Sequence, residues 1–85
     1  MKTFDYTIKD ALGLHARPAG MLVQAAKTYE SEITITNGEK TVSCVKLIMI
    51  MSMGVKCGDT VTVTVNGADE DTALQGMKEF FEANL

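Results

Sequence analysis

Three stretches of the chain alternate between apolar and polar side chains, which is typical of strands with one buried face. They are residues 3–9, 32–36 and 60–66, and the last, TVTVTVN, is the most regular. A period of two sends successive side chains to opposite faces of a sheet. Asn37-Gly38 followed by residues 40–43 predicts a hairpin partner for the second stretch. The positions expected to face inward on the first and last stretches are Phe4, Tyr6, Ile8, Val61, Val63 and Val65.

Two other segments have the period of amphipathic helices. Between residues 16 and 29 the apolar side chains recur at helical spacing, with Pro18 tolerated in the first turn, and residues 70–85 do the same. Asp69 is predicted to cap the second of these helices. The apolar positions are Ala19, Leu22, Val23, Ala26, Ala73, Leu74, Met77, Phe80, Phe81 and Leu85.

Residues 47–53, LIMIMSM, show no alternation of polarity, so a buried strand and a short helix both remain open from the pattern alone. The other elements each have one apolar face to bury. The economical packing is an α+β two-layer sandwich, a mostly antiparallel sheet with helices on one side. With 85 residues and no linker or repeat, the chain is predicted to form one domain, residues 1–85.

Composition and charge exclude some function classes. The net charge is −3 and no Lys/Arg cluster is present, so nucleic acid is not an expected partner. The longest apolar run is too short to cross a bilayer and no signal peptide is recognisable, so no membrane insertion and a cytoplasmic location are expected. Cys44, Cys57 and one histidine are too few ligands for a zinc site, so no metal or other cofactor is expected. Both thiols are expected to be reduced, as small hydrophobes in or near the core.

The single histidine, His15, lies where a strand has ended and a helix begins. A helix N-terminus offers unpaired N–H groups and the positive end of the dipole, and Arg17 adds a charged donor. A neutral imidazole there can attack phosphorus, and the resulting dianion meets donors already in place. The alternative is that His15 merely caps the helix through a ring nitrogen, and spacing alone favours neither interpretation.

The motifs decide between these interpretations. Gly-Leu-His-Ala-Arg-Pro-Ala at residues 13–19 resembles the active-site segment of the HPr family of the bacterial phosphoenolpyruvate-dependent sugar phosphotransferase system. Met-Ser-Met-Gly at 51–54 is similar to the family's second signature, and Gly-Ala-Asp-Glu at 67–70 to the entry of its last helix. The resemblance spans essentially the whole chain. It implies an open-faced sandwich of four antiparallel strands and three helices, ordered βαββαβα, with residues 47–52 as a short helix.

The resemblance also implies a function. In relatives, enzyme I passes a phosphoryl group to the δ1 nitrogen of the matching histidine, here His15, and sugar-specific IIA proteins receive it. Arg17 and the backbone N–H of Ala16 would stabilise the phosphoryl group. The chain would thus be a carrier with a phosphohistidine intermediate, not a stand-alone enzyme, and a monomer.

A carrier needs a docking surface for its donor and acceptors. The short helix can bury only part of its circumference, so Met49, Ile50 and Met53 are predicted to lie in the core while other members of this run stay exposed. Lys46 stands where many relatives carry a regulatory serine, so that phosphorylation switch is expected to be absent. By resemblance, the partner-binding residues are Gly20, Met21, Gln24, Lys27, Leu47, Ile48 and Met51.

Two functions from other classes are less consistent with these residues. A regulatory or binding module of a paralogous system could keep the fold without phosphotransfer, but His15 is retained. An unrelated ligand- or metal-binding domain is disfavoured by the single histidine and the absence of a glycine-rich phosphate loop.

Overall fold

The computed structural model describes residues 1–85 and contains four strands and three helices. The predicted hairpin and both amphipathic helices are present, and residues 47–52 form a short helix. In chain order the elements are β1 Lys2–Thr7, α1 Ala16–Lys27, β2 Glu32–Asn37, β3 Lys40–Ser43, α2 Leu47–Ser52, β4 Thr60–Asn66 and α3 Glu70–Asn84.

The strands form one antiparallel sheet in the order β1-β4-β2-β3. The register sets apolar residues side by side on one face: Phe4 and Ile35 both pair with Val63, and Ile35 also pairs with Val42. Threonines fill the opposite, solvent-facing side, because successive residues alternate between faces. The helices cover the apolar face, and the predicted open-faced α+β sandwich is confirmed.

The core is centred on Phe81 of α3, which is fully buried against the sheet. The rings of Phe4 and Tyr6 meet it edge to face, with centroids 5.6 Å and 5.5 Å away. Such aromatic pairs add about 0.5–1.5 kcal/mol each beyond their apolar burial. The last helix is therefore anchored to β1, at the edge of the sheet that leads into the His15 loop. None of the three helices is both long and apolar enough to cross a bilayer.

The prediction for α2 is partly wrong. Ile50 and Met53 are buried as expected, but Met49 is 51% exposed. Neighbouring residues on a helix point about 100° apart, so a helix of under two turns lying on a sheet buries one narrow stripe. Ile50 and Met53, three residues apart, occupy that stripe, which turns Met49 toward solvent.

The two cysteines lie in different surroundings. Cys44 is buried as predicted, and desolvation raises the pKa of its thiol to about 12. Cys57 is exposed, in the turn before β4, so the expectation that it lies in or near the core is wrong. Both are free thiols.

Asp69 is the N-cap residue of α3, as predicted, but its side chain makes no capping hydrogen bond. Its carboxylate instead accepts hydrogen bonds from the N–H groups of Glu30 and Ser31, both 2.9 Å, and from the Ser31 hydroxyl. The Ser31 hydroxyl and then the Glu30 N–H hold the pKa of Asp69 below its ordinary value. Asp69 therefore ties the start of α3 to the chain entering β2.

This bond network predicts a pH-dependent loss of stability in Asp69→Asn. A carboxyl with a lowered native pKa stabilises the fold above its unfolded pKa of about 3.9, and this contribution disappears as the pH falls through the native value. We expect Asp69→Asn to lower the urea midpoint at pH 7, with the difference from the parent chain shrinking toward pH 2. Asp71→Asn, which removes a surface ion pair to Lys2 of 2.7 Å, should change the midpoint little at either pH. An Asp69→Asn deficit equal at both pH values would contradict this account.

Candidate phosphoryl-acceptor site

The loop between β1 and α1, which carries His15, is held in place by a hydrogen bond of its own and by bonds to two distant parts of the chain. The Gly13 N–H donates to the Asp10 carbonyl at 2.9 Å, and the Leu14 N–H donates to the Val55 carbonyl at 3.1 Å. The main-chain oxygen of Leu85 accepts from the N–H groups of Lys9, 2.6 Å, and Asp10, 2.8 Å. The histidine is thus presented on a fixed loop.

His15 itself is the N-cap residue of α1, with extended backbone angles and a carbonyl that accepts the first helical hydrogen bond, from Ala19 at 2.9 Å. Its side chain makes no capping hydrogen bond and is 35% exposed. The interpretation of His15 as a simple cap is therefore wrong. The ring remains available to a molecule arriving from solvent.

The first turn of α1 leaves hydrogen-bond donors without partners beside this ring. The backbone N–H groups of Ala16 and Arg17 have no acceptor in the protein, and no acidic side chain lies in the first turn. The guanidinium of Arg17 forms no ion pair. Unpaired N–H groups, the helix dipole and a cation together form an anion-binding arrangement.

The ring sits in a shallow, open depression, and its two nitrogens differ. Nε2 lies 3.8 Å from the Asp10 carboxylate, whereas Nδ1 has no protein partner. No group of three or more His, Cys, Asp or Glu side chains could hold a metal ion. The residues that line the depression are Asp10, Leu12, His15, Arg17, Pro18, Met21 and Asn84.

The residues predicted to bind partners lie mainly on the exposed sides of α1 and α2, which pack against each other. Gln24 and Lys27 are exposed, and Gly20 is half-buried. Ile48 is the most exposed apolar residue of the short helix, at 75%. We call the following exposed apolar residues the α1/α2 patch: Met21, Val45, Leu47, Ile48, Met49 and Met51.

Sequence reasoning missed five residues that contribute to this region. Val45 and Met49 belong to the α1/α2 patch, and Asp10, Leu12 and Asn84 line the depression. Their loop positions, five and three residues before the histidine, were a signal that could have identified Asp10 and Leu12. Asn84 is distant in sequence, and no local pattern places it beside His15.

Comparison with known proteins agrees with this geometry. Residues 2–83 match the family model described as "PTS HPr component phosphorylation site". The chain belongs to the HPr family. It is 38% identical over 85 residues to the phosphocarrier protein HPr of Mycoplasma genitalium, covering 99% of this chain and 97% of that protein. The family assignment made from the motifs is confirmed, and the chain is an HPr-type phosphocarrier of the phosphotransferase system.

Solved HPr structures share its fold. HPr-C-His from Thermoanaerobacter tengcongensis superposes with a TM-score of 0.92 at 36% identity, covering 98% of this chain and 93% of that one. An HPr dimer from the same organism gives 0.77 at 36% identity, covering 98% and 95%. HPr relatives thus include a dimeric form, and the monomeric state predicted for this chain stays a prediction.

Proposed function

We propose that Nδ1 of His15 accepts a phosphoryl group from phosphorylated enzyme I and transfers it to IIA proteins of the sugar phosphotransferase system. One observation carries the proposal: an unpartnered ring nitrogen lies beside unpartnered backbone donors and an unpaired guanidinium at a helix N-terminus. The alternative, a binding module without phosphotransfer, does not require this arrangement. One continuous core supports residues 1–85 acting as a single phosphocarrier domain.

The proposed chemistry uses groups already in position. The lone pair of Nδ1 attacks phosphorus while the bond to the donor breaks. Because the ring and the hydrogen-bond donors are already in position, no group of the loop has to move first. Negative charge on the phosphoryl oxygens then meets the N–H groups of Ala16 and Arg17 and the Arg17 guanidinium. The helix terminus contributes about 0.3–1 kcal/mol, and up to ~2 kcal/mol in favourable geometry. The same steps in reverse, with a different protein as acceptor, transfer the phosphoryl group from His15.

The α1/α2 patch supplies the docking surface in this proposal. Its apolar residues are bordered by polar Gln24 and by the exposed cations Lys27 and Lys46, a pattern suited to a transient interface with an acidic partner. Three of its members, Met21, Met49 and Met51, are flexible and polarizable and can repack against more than one protein. These properties suit a carrier that meets a donor and several acceptors.

The surroundings of Lys46 support the proposed absence of serine regulation. Lys46 is exposed immediately before α2. The nearby hydroxyls are engaged locally: Ser52 donates to the Met49 carbonyl at 2.7 Å, and Ser43 accepts from the Val45 N–H at 3.4 Å. We further propose that the chain works as a cytoplasmic monomer, so that the α1/α2 patch stays accessible.

A labelling experiment tests the proposed reaction. Incubation with enzyme I and labelled phosphoenolpyruvate should place one label on the chain, and a IIA protein added afterwards should remove it. A phosphoramidate of histidine is labile in acid and stable in base, whereas a phosphoserine is stable in acid. Absence of label, or a label that survives acid, would exclude the proposal.

The docking surface predicts a specific defect in Ile48→Ser. This side chain is mostly exposed, so its replacement should leave folding stability within about 0.5 kcal/mol. Loss of its apolar burial in the complex should raise the KM for phosphorylated enzyme I about tenfold, the equivalent of ~1.4 kcal/mol.

Steady-state transfer assays measure this KM. Ile48→Leu is the matched control, because it keeps the apolar area and should preserve the KM. A normal KM in Ile48→Ser would remove this residue from the interface.

A further inference from the structure

Asp10 has a role beyond the shape of its loop. Its main-chain N–H donates to Leu85 at 2.8 Å and its carbonyl accepts from Gly13 at 2.9 Å. Carboxylate oxygen Oδ1 accepts from the Leu12 N–H at 2.9 Å. The other oxygen, Oδ2, has no hydrogen bond to the loop and lies 3.8 Å from Nε2 of His15.

The Asp10 carboxylate forms no ion pair with the other charged side chain near the ring. Asp10 and Arg17 are the two charged side chains that share the depression with His15, and they form no ion pair with each other. Asp10 and His15 side chains are 30% and 35% exposed, so their mutual attraction is only partly screened by water. A carboxylate beside one imidazole nitrogen favours the tautomer with the proton on that nitrogen.

We propose that Asp10 is a positioning residue that keeps the His15 proton on Nε2 and stabilises the positive charge the ring gains on phosphorylation. The inference rests on the proposed function. When the Nδ1 lone pair forms the bond to phosphorus, the donor leaves with the electron pair of the broken bond. The proton stays on Nε2, and the ring becomes a phosphoimidazolium cation facing the Asp10 carboxylate. In the return step the P–N bond electrons go back to Nδ1, and a neutral imidazole is released.

Asp10→Asn separates this role from a structural one. The asparagine carbonyl can still accept the hydrogen bond from Leu12, whereas the negative charge is lost. We expect the Nδ1–H tautomer of neutral His15 to increase at least twofold in ¹⁵N NMR spectra. Phosphoryl uptake should slow about fivefold, the range of a half-exposed ion pair. The thermal midpoint should stay near that of the parent chain.

The controls make each outcome decisive. Asp71→Asn removes one negative charge on the first turn of α3 and should preserve both tautomer ratio and uptake rate. If Asp10→Asn leaves the tautomer ratio and the rate unchanged while Asp10→Ala slows uptake, Asp10 acts only through the Leu12 hydrogen bond and the inference is overturned. The NMR measurement needs no partner protein. If the tautomer ratio shifts in Asp10→Asn but the parent chain never accepts phosphate, the proposed function is rejected. The role of Asp10 in setting the tautomer is then still supported.

Discussion

His15→Ala will abolish phosphoryl uptake and leave the fold intact. The histidine ring is the one unpartnered nucleophile at the N-terminus of α1, and its side chain makes no hydrogen bond that the fold would lose. Removal of the acceptor nitrogen leaves no atom that can form the phosphoramidate, so labelling should fall to background. Because the ring is partly exposed, unfolding stability should change by no more than about 1 kcal/mol. Labelling from phosphoenolpyruvate and urea denaturation measure the two effects.

Arg17→Ala is the matched control for this prediction. It retains the nucleophile and removes one charged donor, and losing one such donor typically costs about 10² to 10³ in rate. Labelling should therefore be slow but reach completion, in contrast to His15→Ala. Stoichiometric, acid-labile label on His15→Ala would place the acceptor elsewhere in the chain.

Gly13→Ala will cause the second large effect, a loss of about 3 kcal/mol of folding stability. Gly13 has φ of +69°, where an L side chain costs ~1–2 kcal/mol. An added Cβ would lie 2.4 Å from the Val55 carbonyl oxygen and 2.7 Å from Cα of Lys56, and such overpacking costs ~1–3 kcal/mol more. The two backbone segments must therefore separate where the Leu14 N–H donates its hydrogen bond to the Val55 carbonyl. His15 would be displaced with it, so uptake should fall even where the chain remains folded.

Gly54→Ala isolates the part of this effect that depends on space. Its φ is +68°, almost the same as at Gly13, but no atom lies within 4 Å of an added Cβ. Only the cost of the left-handed backbone remains, about 1 kcal/mol, and uptake should be nearly normal. Denaturant unfolding of both variants measures the difference. Equal losses would show that contact between the His15 loop and residues 55–56 does not brace the site.

Local patterns determined the elements of this protein and the position of its candidate acceptor, His15. Apolar residues at every second position cannot form one face of a helix, and apolar residues at helical spacing cannot form one face of a strand. The patterns of residues 60–66 and 70–85 therefore predicted their own secondary structure. Asn37-Gly38 predicted the hairpin, and its two-residue loop is Gly38-Glu39, where Gly38 adopts the positive φ of +63° that the turn requires. The motifs at residues 13–19, 51–54 and 67–70 identified the family, and thereby predicted residues 47–52 as a helix.

Contacts between distant residues decided the rest. Nothing local distinguishes Met49 from Ile50; the angle at which a short helix meets the sheet exposed one and buried the other. The Asp69 carboxylate bonded to residues 30 and 31 because packing brought them to it, in preference to its own helix. The carbonyl oxygens that accept hydrogen bonds from the His15 loop belong to residues 55 and 85, and their approach is a property of the packed chain. The sequence alone identified His15 as the candidate acceptor, because its motif is local. Tertiary packing determined which backbone groups hold its loop and which carboxylate faces its ring, because these come from contacts that no local pattern contains.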